Sequence, residues 1–198
     1  IKGNQFDTIY HEHYSYFSIS TLQIIVNKVD LKIIEVEELT THGGSLRVWL
    51  THKDNPIKES SSVEYILKKE KDFGILSKET FNQFRSNCNL IKLNLLEFLI
   101  DVKRKNKKII GYGAAAKGNT LLNYLGISKD LLPAVIDKAK SKQGKFLPGS
   151  HIPILDPSKI ETINPDYILV LPWNLIDEIK NQLPNKNQTS TKSIMGGL

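Results

Sequence analysis

Between Ser15 and Val29 apolar residues return at helical spacing, Leu22, Ile25, Val26 and Val29 with Phe17 near the start, which predicts one amphipathic helix. After Asp30 the rhythm changes. Leu31 to Leu39 is rich in Ile and Val, and Leu46, Val48 and Leu50 alternate with Arg47, Trp49 and Thr51, so two strands follow, joined by a turn at Thr41-His42-Gly43-Gly44. Ser60-Ser61-Ser62 offers a cap for a short helix over Val63–Lys71 that stops at Phe73-Gly74. Ser77-Lys78-Glu79 then opens a helix of roughly seven turns. Its stripe carries Phe81, Phe84, Cys88, Ile91, Leu95, Phe98, Leu99 and Val102, and a cysteine in such a stripe reads as inert packing.

From Lys107 onward short apolar runs alternate with helical ones. Lys108 to Gly113 is a strand running into glycines, and Ala114 to Tyr124 a helix. Leu132 to Asp137 and Ile152 to Leu155 are extended, Pro157 to Thr162 is a helical turn, Tyr167 to Leu171 a strand, and Asn174 to Leu183 a helix. Strand-helix alternation implies parallel pairing with right-handed crossovers. The expected fold class is α/β, a Rossmann-like doubly wound parallel sheet preceded by a helix, an antiparallel strand pair and a long amphipathic helix. Pro184 to Leu198 is polar and weakly patterned and stays unassigned.

Composition narrows the class of protein. A chain of 198 residues with 40% apolar and 24% charged residues has enough to bury a real core, which excludes collagen-like, disordered and disulfide-scaffold chains. One cysteine makes no internal bridge, and a reducing, cytoplasmic setting is expected. No apolar run reaches the roughly 20 residues of a membrane span. The chain opens on Ile1 rather than Met, so either a trimmed start, with a leader removed, or a fragment of a longer protein is expected. The net charge of +6 invites a polyanion, but the lysines cluster at Lys68, Lys69 and Lys71, at Lys103 to Lys108 and at Lys138 to Lys145, with no aromatic residues between them to stack on bases. The first two groups sit at helix ends, where the dipole favours cations. The loop group alone suits the phosphates of a small nucleotide, and no nucleic-acid partner is expected.

Three clusters are candidates for chemistry. Tyr10-His11-Glu12-His13-Tyr14 packs titratable groups where a strand-to-helix loop is expected. It reads either as an active-site loop, with a histidine steered by a carboxylate as general base, or as a polar surface loop. Its spacing is not that of a zinc helix, and no metal is expected. Gly111-Tyr112-Gly113-Ala114-Ala115-Ala116 fits the G-x-G-x-x-G/A pattern between a strand and a helix, and Asp137 follows at the end of the next strand, where an acidic residue meets a ribose. Tight strand-to-helix packing would also explain the glycines. Lys142 to His151 places glycines and cations in a loop at the same strand ends.

With these strings in view a family emerges. Phe6-Asp7-Thr8-Ile9-Tyr10-His11-Glu12-His13-Tyr14-Ser15-Tyr16-Phe17-Ser18 resembles the signature of the S-adenosylmethionine-dependent sugar C-methyltransferases of deoxysugar biosynthesis. So do His42 to Arg47, Gly111 to Thr120, Gly144 to Pro153 and Leu171-Pro172-Trp173-Asn174, five blocks in order between Phe6 and Leu183. The resemblance implies a C-terminal part. Residues 1–55 would be the end of a methyltransferase domain, 56–106 a helical connector and 107–183 a Rossmann-like sugar-nucleotide domain, with 184–198 unassigned. It also implies a histidine base that removes the proton alpha to a 4-keto group, giving an enolate that takes a methyl group from the sulfonium donor. By residue matching His13 is the base, Glu12 orients it and Tyr10 donates to the oxyanion. Arg47, Gly111, Gly113, Lys117, Asp137, Lys145 and His151 are the substrate-side candidates. S-adenosylmethionine would serve the complete enzyme, its site lying outside this chain. The partners would be a nucleotide-diphosphate sugar and the missing N-terminal half.

Two departures stand out: Asp137-Lys138-Ala139-Lys140-Ser141 lacks an Arg-Asn-Pro after the aspartate, and the tail lacks the usual closing strand. Competing readings are a non-catalytic module that holds a nucleotide-linked sugar and an NAD-dependent oxidoreductase.

Overall fold

The computed structural model describes residues 1–182 and 190–193, which fall into two compact units. One comprises residues 13–83. In it α1 (Ile19–Asn27) leads to an antiparallel pair, β1 (Leu31–Leu39) and β2 (Ser45–His52), and then to α2 (Ser61–Phe73). The helix expected from Ser15 begins at Ile19. Ser18 stays extended at φ −87°, ψ 163° and its hydroxyl accepts from the Thr21 N–H, so the cap sets the start. The hairpin turn is a 3₁₀ turn over Thr41–Gly43 followed by Gly44 at φ +120°, a backbone angle that favours glycine. Ser60 caps α2 and Gly74, at φ +73°, ends it. Ile19, Val26, Ile33, Val36, Val63 and Ile66 form this unit's core.

The other unit comprises residues 1–12 and 84–198. Helix α3 (Lys78–Arg104) enters it with Phe84. Then follow β3 (Ile109–Tyr112), α4 (Ala116–Leu125), β4 (Val135–Ile136), β5 (Ile154–Leu155), α5 (Lys159–Ile163), β6 (Tyr167–Val170), α6 (Ile176–Gln182) and β7 (Ser190–Ser193). The strands are all parallel, in the order β5-β4-β3-β6-β7.

Alternation along the inner strands explains why β3, β4 and β6 are apolar almost throughout. Ile109, Val135 and Leu169 point into a core shared with Leu95, Leu99 and Val102 of α3 and with Leu121, Leu122 and Leu125 of α4. Ile110, Ile136, Ile168 and Val170 point the opposite way, against Ile160 of α5 and Ile179 of α6. Central strands of a sheet covered on both faces need hydrophobic residues on both sides, a demand the edge strand β7 escapes. Each fully buried Leu or Ile contributes roughly 1.5–3 kcal/mol, so most of the unit's stability lies in these two layers. Cys88 is buried in the first, and burial pushes its thiol up, which leaves it a packing residue.

Two expectations need correction. The strand expected from Leu132 is paired only at Val135 and Ile136, because Pro133 has no N–H to give a ladder. The tail does carry a closing strand. Ser190–Ser193 pairs with β6 from Tyr167 to Val170, and its Ser-Thr-Lys-Ser sequence hides it from any hydrophobic pattern. Residues 183–189 and 194–198 of the unassigned tail lie outside the described residues. Among the described residues no helix is long and apolar enough to cross a membrane.

Candidate functional site

The strand order reverses at β3, with β4 on one side and β6 on the other. At such a switch point the loops leaving two adjacent strands diverge and open a crevice at their carboxyl ends. The chain leaves β3 through Gly113, at φ +86°, and enters α4 with Ala115 as an extended N-cap that has no side-chain hydrogen bond. Beside it runs Leu171-Pro172-Trp173, leaving β6. The Leu171 N–H donates to the Tyr112 carbonyl at 3.0 Å. A methyl group on Gly113 would stand 2.6 Å from Pro172, and one on Gly118 2.6 Å from Leu171. Gly111 faces Val135 in the same way, at 2.7 Å. These glycines allow backbone and side chains to pack where a Cβ would not fit.

Asp137, at the end of β4, ties this turn together. Its carboxylate accepts from the Ala114 N–H at 2.7 Å and from the Ala139 N–H at 2.8 Å, and its carbonyl accepts from Gln143 at 3.0 Å. Lys142 completes the knot, donating to the Ala114 carbonyl at 2.8 Å with its ammonium 3.5 Å from the Asp137 carboxylate. Both oxygens of Asp137 are thus held by backbone N–H groups, and the open sides of Gly111, Gly113 and Gly118 are filled by the protein.

The N-terminal segment docks on α4. Phe6 is buried with its ring 4.9 Å from that of Tyr124, and Thr120 donates to the Ile9 carbonyl at 2.9 Å. Between them Asp7, only 1% exposed, accepts from the indole N–H of Trp173 at 2.7 Å. Lys117, in the first turn of α4, holds its ammonium 5.1 Å from the centre of the Trp173 ring. Burial pushes the Asp7 carboxyl up, opposed by the indole hydrogen bond and the Lys117 charge. Among the described residues the other Asp7 oxygen has no hydrogen-bond partner.

The remaining candidates are distributed as follows. Tyr10 is half-buried, one residue past the Ile9 anchor. Glu12 is exposed and lies 3.8 Å from the imidazole of His11. His13 belongs to the other unit, exposed, with its ring 6.0 Å from that of Tyr16. Arg47 is exposed on β2 of that same unit, paired with Glu37 at 2.9 Å. There, Phe17, Ser18 and Leu22 face Leu39, Gly44 and Leu46 across a groove of about 490 Å³.

Lys145 and His151 are exposed on a loop pinned by buried Leu147 and by Asn123 of α4, which donates to the Pro148 carbonyl at 3.0 Å. The structure thus gathers Gly113, Lys117 and Asp137 at one sheet end, with the Lys145–His151 loop tied to the same helix. Sequence reasoning assigned no role to Asp7, Trp173 or Asn123. Asp7 and Trp173 stood inside the motif blocks, and that was their only signal.

A family model described as the C-methyltransferase C-terminal domain matches residues 40–196. A C-methyltransferase of Streptomyces niveus, NovU, is 35% identical over 179 residues, covering 90% of this chain and 43% of its own length. The chain therefore spans less than half the length of that curated relative.

Proposed function

The chain belongs to the C-methyltransferase C-terminal domain family, and from that premise we propose that it is the substrate side of a C-methyltransferase acting on a nucleotide-linked 4-keto-deoxysugar. We read the five-stranded sheet as doubly wound and Rossmann-like, with the nucleotide diphosphate at the β3/β6 crevice beside Lys117. The convergence of Phe6–Tyr10, Gly111–Thr120 and Leu171–Trp173 at that crevice carries the reading. Residues far apart in the chain and shared as motif blocks meet where an open α/β sheet binds ligands.

In this reading His13 takes the proton alpha to the ketone, Glu12 orients it, and Tyr10 donates a hydrogen bond to the enolate oxygen as charge develops there. A carbon acid needs both, because removing the proton is costly unless the resulting anion is stabilised. The methyl donor, S-adenosylmethionine, is assigned to a further half outside this chain, in keeping with a relative of which the chain spans 43%. The setting is the cytoplasm, where an unpaired thiol such as Cys88 stays reduced.

The test is a melting titration of the chain with pyrimidine-diphosphate sugars, S-adenosylmethionine and NAD in separate arms. A rise with the sugar nucleotide alone is expected. Stabilisation by NAD with no response to the sugar nucleotide refutes the proposal.

A further inference from the structure

A buried carboxylate with one oxygen bonded and the other unpartnered is a poor way to hold a fold together, since an apolar residue of similar shape avoids the desolvation cost. Asp7 is such a group, and it lies in the one segment whose neighbours, Tyr10 and Glu12, are candidates for the chemistry. Local features that disfavour stability concentrate at functional sites.

The side chain that bonds it points to the reason. An indole offers one N–H, and its ring otherwise rotates between rotamers. Fixing that N–H on Asp7 at 2.7 Å fixes the ring plane, and the face of that ring carries the Lys117 ammonium at 5.1 Å. Lys117 is 9% exposed and sits in the first turn of α4, at the carboxyl ends of β3 and β6. An ammonium placed there by a rigid ring is a defined point charge for an anion, whereas a free lysine is a mobile one.

We propose that Asp7 is a positioning residue for diphosphate binding: through Trp173 it fixes the ring that places the Lys117 ammonium at the sheet crevice, and so links ligand binding to the segment bearing Tyr10 and Glu12. The inference rests on the functional reading above. It adds Asp7 and Trp173 to the binding machinery, Lys117 being the group that meets the ligand.

Thymidine diphosphate is the probe, titrated by calorimetry into the chain carrying Trp49→Phe, which leaves Trp173 as the only indole. Asp7→Ala is expected to weaken binding at least about tenfold, the scale of one charged hydrogen bond, and to shift the Trp173 emission before any ligand is added. Asp7→Asn keeps an acceptor for the indole and is expected to stay within about threefold, a rescue that a general loss of packing would not give. Trp173→Phe, which keeps a ring but deletes the donor, covers the case in which Asp7→Ala does not fold. Its loss is expected to match that of Asp7→Ala, and the double variant to lose no more than either alone.

Binding by folded Asp7→Ala that equals the parent, or additive losses in the double variant, overturns the role of Asp7 while leaving the functional reading intact. If the parent does not bind the diphosphate, or Lys117→Met binds as well as the parent, the functional reading falls and this inference with it. The emission shift still reports separately on the Asp7–Trp173 bridge.

Discussion

Trp173 donates its indole N–H to Asp7, 166 positions earlier in the chain, at 2.7 Å. The bond fastens the N-terminal segment to the loop leaving β6, and most of what can be tested about this protein turns on such long-range fastenings.

Asp7 has a pH signature. Burial raises its folded-state pKa above the ordinary 3.8, so the native state holds the proton more tightly than the unfolded chain does. The sign follows: this group favours folding below the usual carboxylate range, and that contribution is lost as pH rises through the raised folded value. Asp7→Asn, which cannot ionise, is expected to gain in melting temperature relative to wild type as pH climbs from 3 to about 7. A gap that moves the other way would mean that Trp173 and Lys117 outweigh burial.

Gly118 tests the close packing of α4 on the end of β6. A Cβ there would stand 2.6 Å from Leu171, so Gly118→Ala is expected to cost about 1–3 kcal/mol in urea unfolding despite alanine's better helix propensity. A stabilised variant would show that the helix shifts freely.

Leu99 and Leu93 lie on the same helix with opposite exposures, 0% and 63%. Leu99→Ala should lose about 2–5 kcal/mol, while Leu93→Ala should stay within about 0.5 kcal/mol. Equal losses from the two would contradict the placement of α3.

Glu70 of α2 receives the Ile19 and Ser20 N–H groups at 2.7 and 2.8 Å, a carboxylate at the N-terminus of α1. Glu70→Ala is expected to destabilise residues 13–83 by about 1–2 kcal/mol, read as faster amide exchange in α1.

His13 is exposed, so His13→Ala should leave the melting temperature unchanged. On the proposed function, the same change in a protein that joins this chain to a donor-binding half is expected to abolish solvent exchange at the sugar carbon while nucleotide affinity holds. Undiminished exchange would remove His13 from the chemistry.

Elements with a strong local pattern were legible. The Ile and Val run of Leu31–Leu39 is β1 to the residue, and the three-and-four stripe after Ser77 is α3. β7 was not, because Ser-Thr-Lys-Ser has no apolar residue for a pattern to catch, and its strand is defined by backbone pairing at a sheet edge. Asp137 shows the same limit at the site. Its place after a strand marks it as polar and near a ligand crevice, but only the fold shows its carboxylate closed on the Ala114 and Ala139 N–H groups.

By itself the sequence determined the alternation of strands and helices and the family, because periodicity and motif blocks are written in adjacent residues. The tertiary structure decided which blocks meet. Phe6 against Tyr124, Asp7 on Trp173 and Asn123 on the Pro148 carbonyl join residues that no local spacing relates. Such contacts form when the sheet, closed on both faces, brings the ends of β3 and β6 side by side.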